Sequence, residues 1–207
     1  MKSLLGMTGD KAAPNDILTA ILKMKTDLLW FGGIGTYIRA TTESDADAGD
    51  KANDAIRITA PEVGAKVIGE GANLGVTQLA RIEFDKKGGR VNSDAIDNSA
   101  GVNSSDMEVN IKIALGAAMR NEKLDLKKRN RFLASMTDAV ADLVLRNNYL
   151  QTLSLSLTER DGMNDFGFQS RLMNQLEGRG LLDREVELLP DDAGMSERLA
   201  AGETLTR

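Results

Sequence analysis

The sequence predicts a mixed α/β fold, in which a partial doubly wound, Rossmann-like parallel sheet is followed by an α-helical C-terminal segment. Two short apolar runs in the first half, residues 28–31 and 65–68, each end at a glycine-rich loop. Apolar residues at helical spacing flank these runs, and alternating strand and helix patterns are typical of parallel sheets with crossover helices. In the second half, helical patterns predominate.

The first predicted elements are a helix and a strand. Pro14 begins the helix, because proline is favoured in a first helical turn, and apolar residues follow it at helical spacing. Residues 28–31, Leu-Leu-Trp-Phe, form a short strand that we expect to be buried, with Trp30 in the core. The glycines of residues 32–35 end this strand.

Four further elements complete the predicted α/β part. Residues 65–68 form a second strand, and the glycine-rich loop of residues 69–75 follows it. A short helix is predicted over residues 77–84 and a third strand over residues 91–96.

The second half is predicted to be helical. Ser105 and Glu108 have the spacing of a capping box, which predicts a helix start at Ser105. Asp125 is the expected N-cap of a longer helix that ends near residues 147–148. Its apolar stripe, residues 126–144, is interpreted as core packing.

Composition excludes several kinds of site. The 207 residues include neither histidine nor cysteine, which rules out disulfides, thiolate nucleophiles and a Ser-His-Asp triad in this chain. The net charge of −5 provides no basic footprint for nucleic acid. No apolar run approaches the roughly 20 residues that cross a bilayer. We therefore expect a cytoplasmic protein without nucleic-acid or membrane partners.

The pattern Gly69-x-Gly71-x-x-x-Gly75, between a predicted strand and a predicted helix, is close to a dinucleotide fingerprint. Asp94 lies near the position of a ribose-binding acid. Alternatively, these glycines serve only the geometry of a tight turn. Pattern alone leaves both interpretations open.

Three other features also have two interpretations. The small polar run of residues 97–105 suits an anion or carboxylate site at a helix start, or simply a cap at Ser105. The glycines of residues 32–35 suit a ligand edge or a flexible turn. An acidic cluster without EF-hand spacing is interpreted as a solvated loop and not as a metal site: Glu43, Asp45, Asp47 and Asp50.

Three stretches resemble the large bacterial type of NAD-specific glutamate dehydrogenase, both in their residues and in their order along the chain: residues 27–41, 66–85 and 92–114. Residues 70–73 match the Glu-Gly-Ala-Asn of the wider family. Residues 98–105 match its Asn-Ala-Gly-Gly-Val-x-x-Ser, with Ser and Ala at the second and third positions.

The resemblance implies a set of site residues. Asn73 would approach the nicotinamide ribose, and Asn98 the nicotinamide amide. Val102 and Ser105 would line the substrate, with the Ser105 hydroxyl on the distal carboxylate of glutamate. The glycine-rich loop would then lie on the nicotinamide side instead of binding the pyrophosphate. The cofactor contacts implied for NAD are Gly32, Gly33, Gly71, Asn73 and Asn98.

The resemblance also implies that the chain is a fragment without catalytic residues or a metal, because the family's catalytic lysines and aspartate lie in an earlier domain. Residues 1–103 would be the later part of a dinucleotide-binding domain, residues 104–189 a helical segment packing on it, and residues 190–207 a weakly ordered tail.

The parent would be a homo-oligomer that oxidises L-glutamate with NAD and water to 2-oxoglutarate, ammonium and NADH. We expect the isolated chain to be inactive. Two alternatives remain: a related amino-acid dehydrogenase acting on leucine, phenylalanine or valine, and a non-catalytic α/β binding or oligomerisation module.

Overall fold

The computed structural model describes residues 3–9 and 11–205. Within them the chain forms two compact units, one made of residues 3–9, 11–94 and 154–205 and the other of residues 95–153. The predicted domain end at residue 103 lies inside a long helix.

The α/β part of the first unit contains three α-helices and four strands among the described residues. In chain order these are α1 (Pro14–Leu22), β1 (Thr26–Phe31), β2 (Ile38–Arg39), α2 (Asp45–Ala48), β3 (Ile58–Thr59), β4 (Ala65–Glu70) and α3 (Gln78–Lys86). Short 3-10 turns at Lys51–Asn53 and Ala60–Glu62 connect some of them. The remaining elements are helical: α4 (Asp94–Asp97), α5 (Ser99–Arg120), α6 (Leu126–Ser135), α7 (Thr137–Asp161), α8 (Met163–Gly178) and α9 (Asp192–Ala201).

The strand pairing is parallel, as the sequence predicts. Strand β1 pairs with β4 over five residue pairs, from Thr26 opposite Ala65 to Phe31 opposite Glu70. Strands β2 and β3 form a second, two-residue parallel pair. Because β1 and β4 run in the same direction, the loops that follow them emerge at one edge of the sheet.

Only one face of the β1–β4 pair is buried. Phe31 and Ile68 point into a core that also contains residues of α1, β2, β3 and α3. Leu28 and Trp30 point to the opposite face and are 52% and 57% exposed. The prediction that Trp30 is a core residue is therefore wrong, because successive side chains of a strand alternate between faces and the described elements pack against only one of them.

The predicted third strand over residues 91–96 is wrong. Pairing with β4 is confined to a single bridge between Val67 and Arg90, and helix α4 begins at Asp94. The predicted helix over residues 77–84 is confirmed by α3, whose N-cap Thr77 accepts a hydrogen bond from the N–H of Ala80 at 3.2 Å.

The helical unit begins earlier than the capping-box pattern predicts. Helix α5 starts at Ser99, which places Ser105 in its interior and makes the predicted cap at Ser105 wrong. Asp125 is confirmed as the N-cap of α6, accepting from the N–H of Lys128 at 2.7 Å. Instead of ending near residues 147–148, the helical path breaks after α6 and continues through α7 to Asp161.

Most of the apolar stripe assigned to core packing is not buried. Leu126 and Leu143 are 58% and 55% exposed, whereas Val144 is buried. The periodicity correctly predicted helices, but burial also needs a second packed layer, which periodicity cannot supply.

Residues 154–205 form a small separate cluster around Phe166, Met173 and Met195. The predicted weakly ordered tail instead contains helix α9, whose N-cap Asp191 accepts from the N–H of Gly194 at 2.7 Å; residues 206–207 lie outside the described residues. No helix in the described part of the chain is long and apolar enough to cross a membrane.

Candidate functional site

Four of the candidate residues lie beyond the carboxyl ends of two paired strands. Gly32 and Gly33 lie in the loop after β1, residues 32–37 (the β1 loop), and Gly71 and Asn73 lie in the loop after β4, residues 71–77 (the β4 loop). All four are exposed. The parallel pairing of these strands brings the two loops to one edge of the sheet, where ligands of open α/β sheets bind.

The glycines at the end of β4 and in the β4 loop pack closely against other side chains. A β-carbon built on Gly71 would lie 2.6 Å from Cζ2 of Trp30, and one on Gly69 would lie 2.7 Å from Cε3 of the same ring. One on Gly75 would lie 2.7 Å from Oε1 of Glu70. Close packing against Trp30 and Glu70 thus gives a structural reason for the pattern that resembles a dinucleotide fingerprint.

Gly32 and Gly33 differ from these glycines. A β-carbon on Gly33 would meet no atom within 4 Å, and one on Gly32 would meet only Trp30, at 3.9 Å. Neither residue has a positive φ, so neither packing nor backbone conformation in the described structure requires glycine here.

The two glycines line an open groove of about 380 Å³. Apolar side chains of α1 and β1 form most of its wall, and Tyr37 and Asn53 add polar atoms. A volume of this size is within the range of small-ligand sites. Because glycine has no β-carbon, a flat ligand in the open groove has room to approach the backbone. These features fit the NAD contact that the resemblance implies for the two glycines.

A buried ion pair supports the β4 loop. Glu70 is fully buried, and its Oε2 accepts from Nη2 of Arg81 at 2.5 Å. The other carboxylate oxygen, Oε1, accepts from the N–H of Val76 at 3.2 Å. Burial raises the pKa of Glu70, and the guanidinium of Arg81 opposes that rise.

Asp94, which one interpretation of the glycine pattern makes a ribose-binding acid, contacts the β4 loop. Its Oδ2 accepts from the N–H of Leu74 at 2.9 Å and lies 3.8 Å from Nη2 of Arg81. The carboxylate is therefore directed at the β4 loop.

The other three candidate residues lie in the second unit, along the start of one helix. Asn98 immediately precedes α5, and Val102 and Ser105 are exposed residues of its first two turns. Residues three and four apart share a helix face, so all three lie along one side of the helix.

Ser99, the position at which the sequence departs from the wider family's alanine, anchors this helix start. It is buried, and its hydroxyl donates to Oδ1 of Asn148 on α7 at 2.7 Å. The Asn148 amide in turn donates to the carbonyl of Val144 at 3.0 Å. The substitution therefore adds a polar connection between α5 and α7.

The acidic cluster serves two arginines and the backbone. Asp45 accepts from Arg57 at 3.0 Å and from Arg39 at 3.1 Å, and these bonds hold the pKa of Asp45 below its usual value. Asp50 accepts from the Asn53 amide and the N–H of Thr36, which also lowers its pKa. The Asp45 side chain stays 45% exposed, as a solvated loop predicts, but it also binds the fully buried side chain of Arg57.

Arg81 and the contact of Asp94 with Leu74 have no signal in the sequence, because neither belongs to a local motif. Gly101 also has no role among the predicted site residues. This residue lies inside α5, where glycine costs about 0.5–1 kcal/mol relative to alanine, and a β-carbon there would meet no atom within 4 Å. Both observations come from the structure, since the sequence predicts the helix start only at Ser105, so no signal in the sequence identifies Gly101.

A family model and individual sequences that are similar to this chain carry the same enzyme description. A family model described as bacterial NAD-glutamate dehydrogenase, catalytic domain, matches residues 1–158. Proteins named NAD-specific glutamate dehydrogenase are 51% identical over 207 residues in Pseudomonas aeruginosa, 48% over 206 in Halomonas elongata and 44% over 212 in Mycobacterium tuberculosis. Each comparison covers 100% of this chain but only 13% of the relative's length.

Proposed function

Because the chain belongs to the family of the bacterial NAD-glutamate dehydrogenase catalytic domain, we propose that it forms one wall of the active site in such an enzyme. The reaction proposed for the whole enzyme oxidises L-glutamate with NAD and water to 2-oxoglutarate, ammonium, NADH and a proton. The main supporting observation is the open groove at Gly32 and Gly33, two glycines that the described packing does not require.

In this proposal the β1 and β4 loops hold the cofactor. Gly32 and Gly33 border its groove, while Gly71 and Asn73 contribute from the parallel neighbour. Asn98 orients the nicotinamide amide. Hydride acceptance is the chemistry that NAD supplies when bound, and these residues bind and orient it.

Val102 and Ser105 form the proposed substrate wall. Their places on one exposed helix face support this assignment. The Ser105 hydroxyl donates to the distal carboxylate of glutamate, and Val102 packs against its methylene groups. As the resemblance implies, the catalytic lysines and aspartate belong to an earlier domain of the longer polypeptide, and we assign no residue of this chain to proton transfer. We place the enzyme in the cytoplasm as a homo-oligomer, without nucleic-acid or membrane partners.

Steady-state kinetics of the full-length polypeptide with glutamate and NAD test this proposal. Replacing Ser105 by alanine removes a hydrogen bond to a charged group, which contributes about 1.5–3 kcal/mol. We expect Ser105→Ala to raise the KM for glutamate at least about tenfold. The matched control is Ser104→Ala, which removes an exposed hydroxyl from the next position of the same helix and should leave that KM unchanged.

Four outcomes would contradict the proposal. Equal loss in both serine variants would remove the specific role of Ser105. Faster turnover of leucine than of glutamate would favour a related amino-acid dehydrogenase. Measurable glutamate turnover by the isolated 207-residue chain would show that its site is more complete than we propose. If neither the full-length polypeptide nor the isolated chain binds NAD, a non-catalytic module would be favoured.

A further inference from the structure

The turn after Asn73 is held in a costly backbone conformation. Leu74 has a φ of +67°, in the left-handed region that a non-glycine residue enters at a cost of about 1–3 kcal/mol. Its side chain is 61% exposed, so core packing does not explain the conformation. The hydrogen bond from its N–H to Oδ2 of Asp94, at 2.9 Å, fixes the backbone at this residue.

Asp94 belongs to a set of three charged side chains behind the loop. Nη2 of Arg81 lies 2.5 Å from Glu70 and 3.8 Å from Asp94. Glu70 accepts from the N–H of Val76. We call Glu70, Arg81 and Asp94 the loop bracket, because its two carboxylates bind the middle and the end of the β4 loop and its arginine links them.

The loop bracket is buried at Glu70 and Arg81 and partly accessible at Asp94. Glu70 is fully buried, and the Arg81 side chain is only 9% exposed. Asp94 is 18% exposed and can be replaced with less damage to the core. The buried pair of Glu70 and Arg81 therefore supports the fold, whereas the more exposed Asp94 holds the exposed turn at Leu74.

We propose that Asp94 is a positioning residue for the nicotinamide cofactor, acting through the Leu74 N–H to hold Asn73 toward the bound ribose. This inference rests on the proposed function. It assigns to Asp94 no contact with cofactor or substrate: Asp94 holds the turn in its binding geometry before the cofactor arrives, which reduces the ordering cost of binding.

The test uses the full-length polypeptide carrying Asp94→Ala. We expect the Kd for NAD, measured by calorimetry, to rise about tenfold, since a hydrogen bond to a charged acceptor is lost. The KM for NAD rises in parallel, and the KM for glutamate changes less than about twofold. Without NAD, amide hydrogen exchange across residues 71–76 becomes faster, since the loop opens more often.

Asp27→Ala is the matched control. Asp27 is an exposed acid that pairs with Lys66 at 2.7 Å, at the opposite ends of the same two strands. Its removal also deletes a carboxylate and an ion pair, so it accounts for general effects of charge. We expect no change in the Kd for NAD or in the exchange of residues 71–76.

A rescue variant tests the route through Leu74. Glycine adopts a positive φ without strain, so Leu74→Gly combined with Asp94→Ala should recover part of the lost NAD affinity. An unchanged NAD affinity or unchanged loop exchange in Asp94→Ala would overturn the inference, as would a loss that Leu74→Gly does not reduce. Wild-type protein that binds NAD but does not oxidise glutamate would contradict the proposed function alone. Calorimetry and hydrogen exchange would still test whether Asp94 positions the loop for NAD.

Discussion

The α/β part of the first unit and the helical second unit differ in how far their apolar side chains are buried. In the first, Ile38, Ile68 and Val76 are at most 2% exposed. In the second, Ile113 and Tyr149 on two long helices are 62% and 63% exposed. A sheet covered by helices encloses a core, whereas apolar helix faces become buried only when another layer packs against them.

The difference bears on how each unit presents its candidate residues. The β1 and β4 loops follow strands that are held by a packed core and by a buried ion pair. Asn98, Val102 and Ser105 lie on a helix anchored by the Ser99–Asn148 hydrogen bond. We therefore expect substitutions in the two units to differ in their cost to stability.

Removing core volume is the strongest test of this comparison. Ile68→Ala should lower the free energy of unfolding by about 2–5 kcal/mol, because it leaves a cavity in the core. Ile113→Ala, the matched change at an exposed position, should alter it by less than about 0.5 kcal/mol. Urea unfolding of the 207-residue chain, followed by circular dichroism and by fluorescence of its single tryptophan, Trp30, measures both. Similar costs at the two positions would contradict the comparison.

A smaller effect is expected at the polar anchor of the second unit. Ser99→Ala leaves Oδ1 of Asn148 without this donor and should cost about 1–2 kcal/mol. Ser104→Ala, on the exposed side of the same helix, should cost almost nothing. Circular dichroism during urea unfolding compares the two variants. A Ser99 variant as stable as the control would show that this hydrogen bond does not hold the unit together.

The smallest effect concerns pH and the surface of the α/β part. Lys23 at 2.7 Å, together with Thr59, lowers the pKa of Glu62 to about 2, against an ordinary value of 4.5. A lowered pKa stabilises the folded state above pH 4.5, and this contribution is lost as the pH falls from 4.5 toward 2.

Because Glu62 is 42% exposed, solvent screening limits its contribution to less than about 1 kcal/mol. Glu62→Gln should therefore unfold more easily than wild type at pH 6, and the difference should shrink at pH 3. Urea midpoints at the two pH values measure it. Glu108→Gln in the second unit, whose glutamate pairs with Lys112 four residues away, is the control for an exposed ion pair. A difference that grows on acidification would contradict the assignment.

Much of the α/β part follows from sequence alone. The apolar runs before Gly32 and Gly69 predict two strands, and their parallel pairing is confirmed. Asp125 predicts a helix start because a cap needs only its own side chain and the next few backbone N–H groups. The residues of the motifs predict a family, and the match to the family model supports that prediction. The assignment of individual site residues remains a prediction.

Tertiary structure decided the features that depend on distant partners. The exposure of Trp30 depends on which face of β1 the helices cover, and alternation along the strand cannot specify that face. Asp94 lies 20 residues from Leu74, so its role as a loop support has no local signal. The sequence determined local hydrogen bonding and periodicity, because neighbouring residues establish both, whereas the fold decided burial and long-range polar contacts, because these require elements that are distant in the chain.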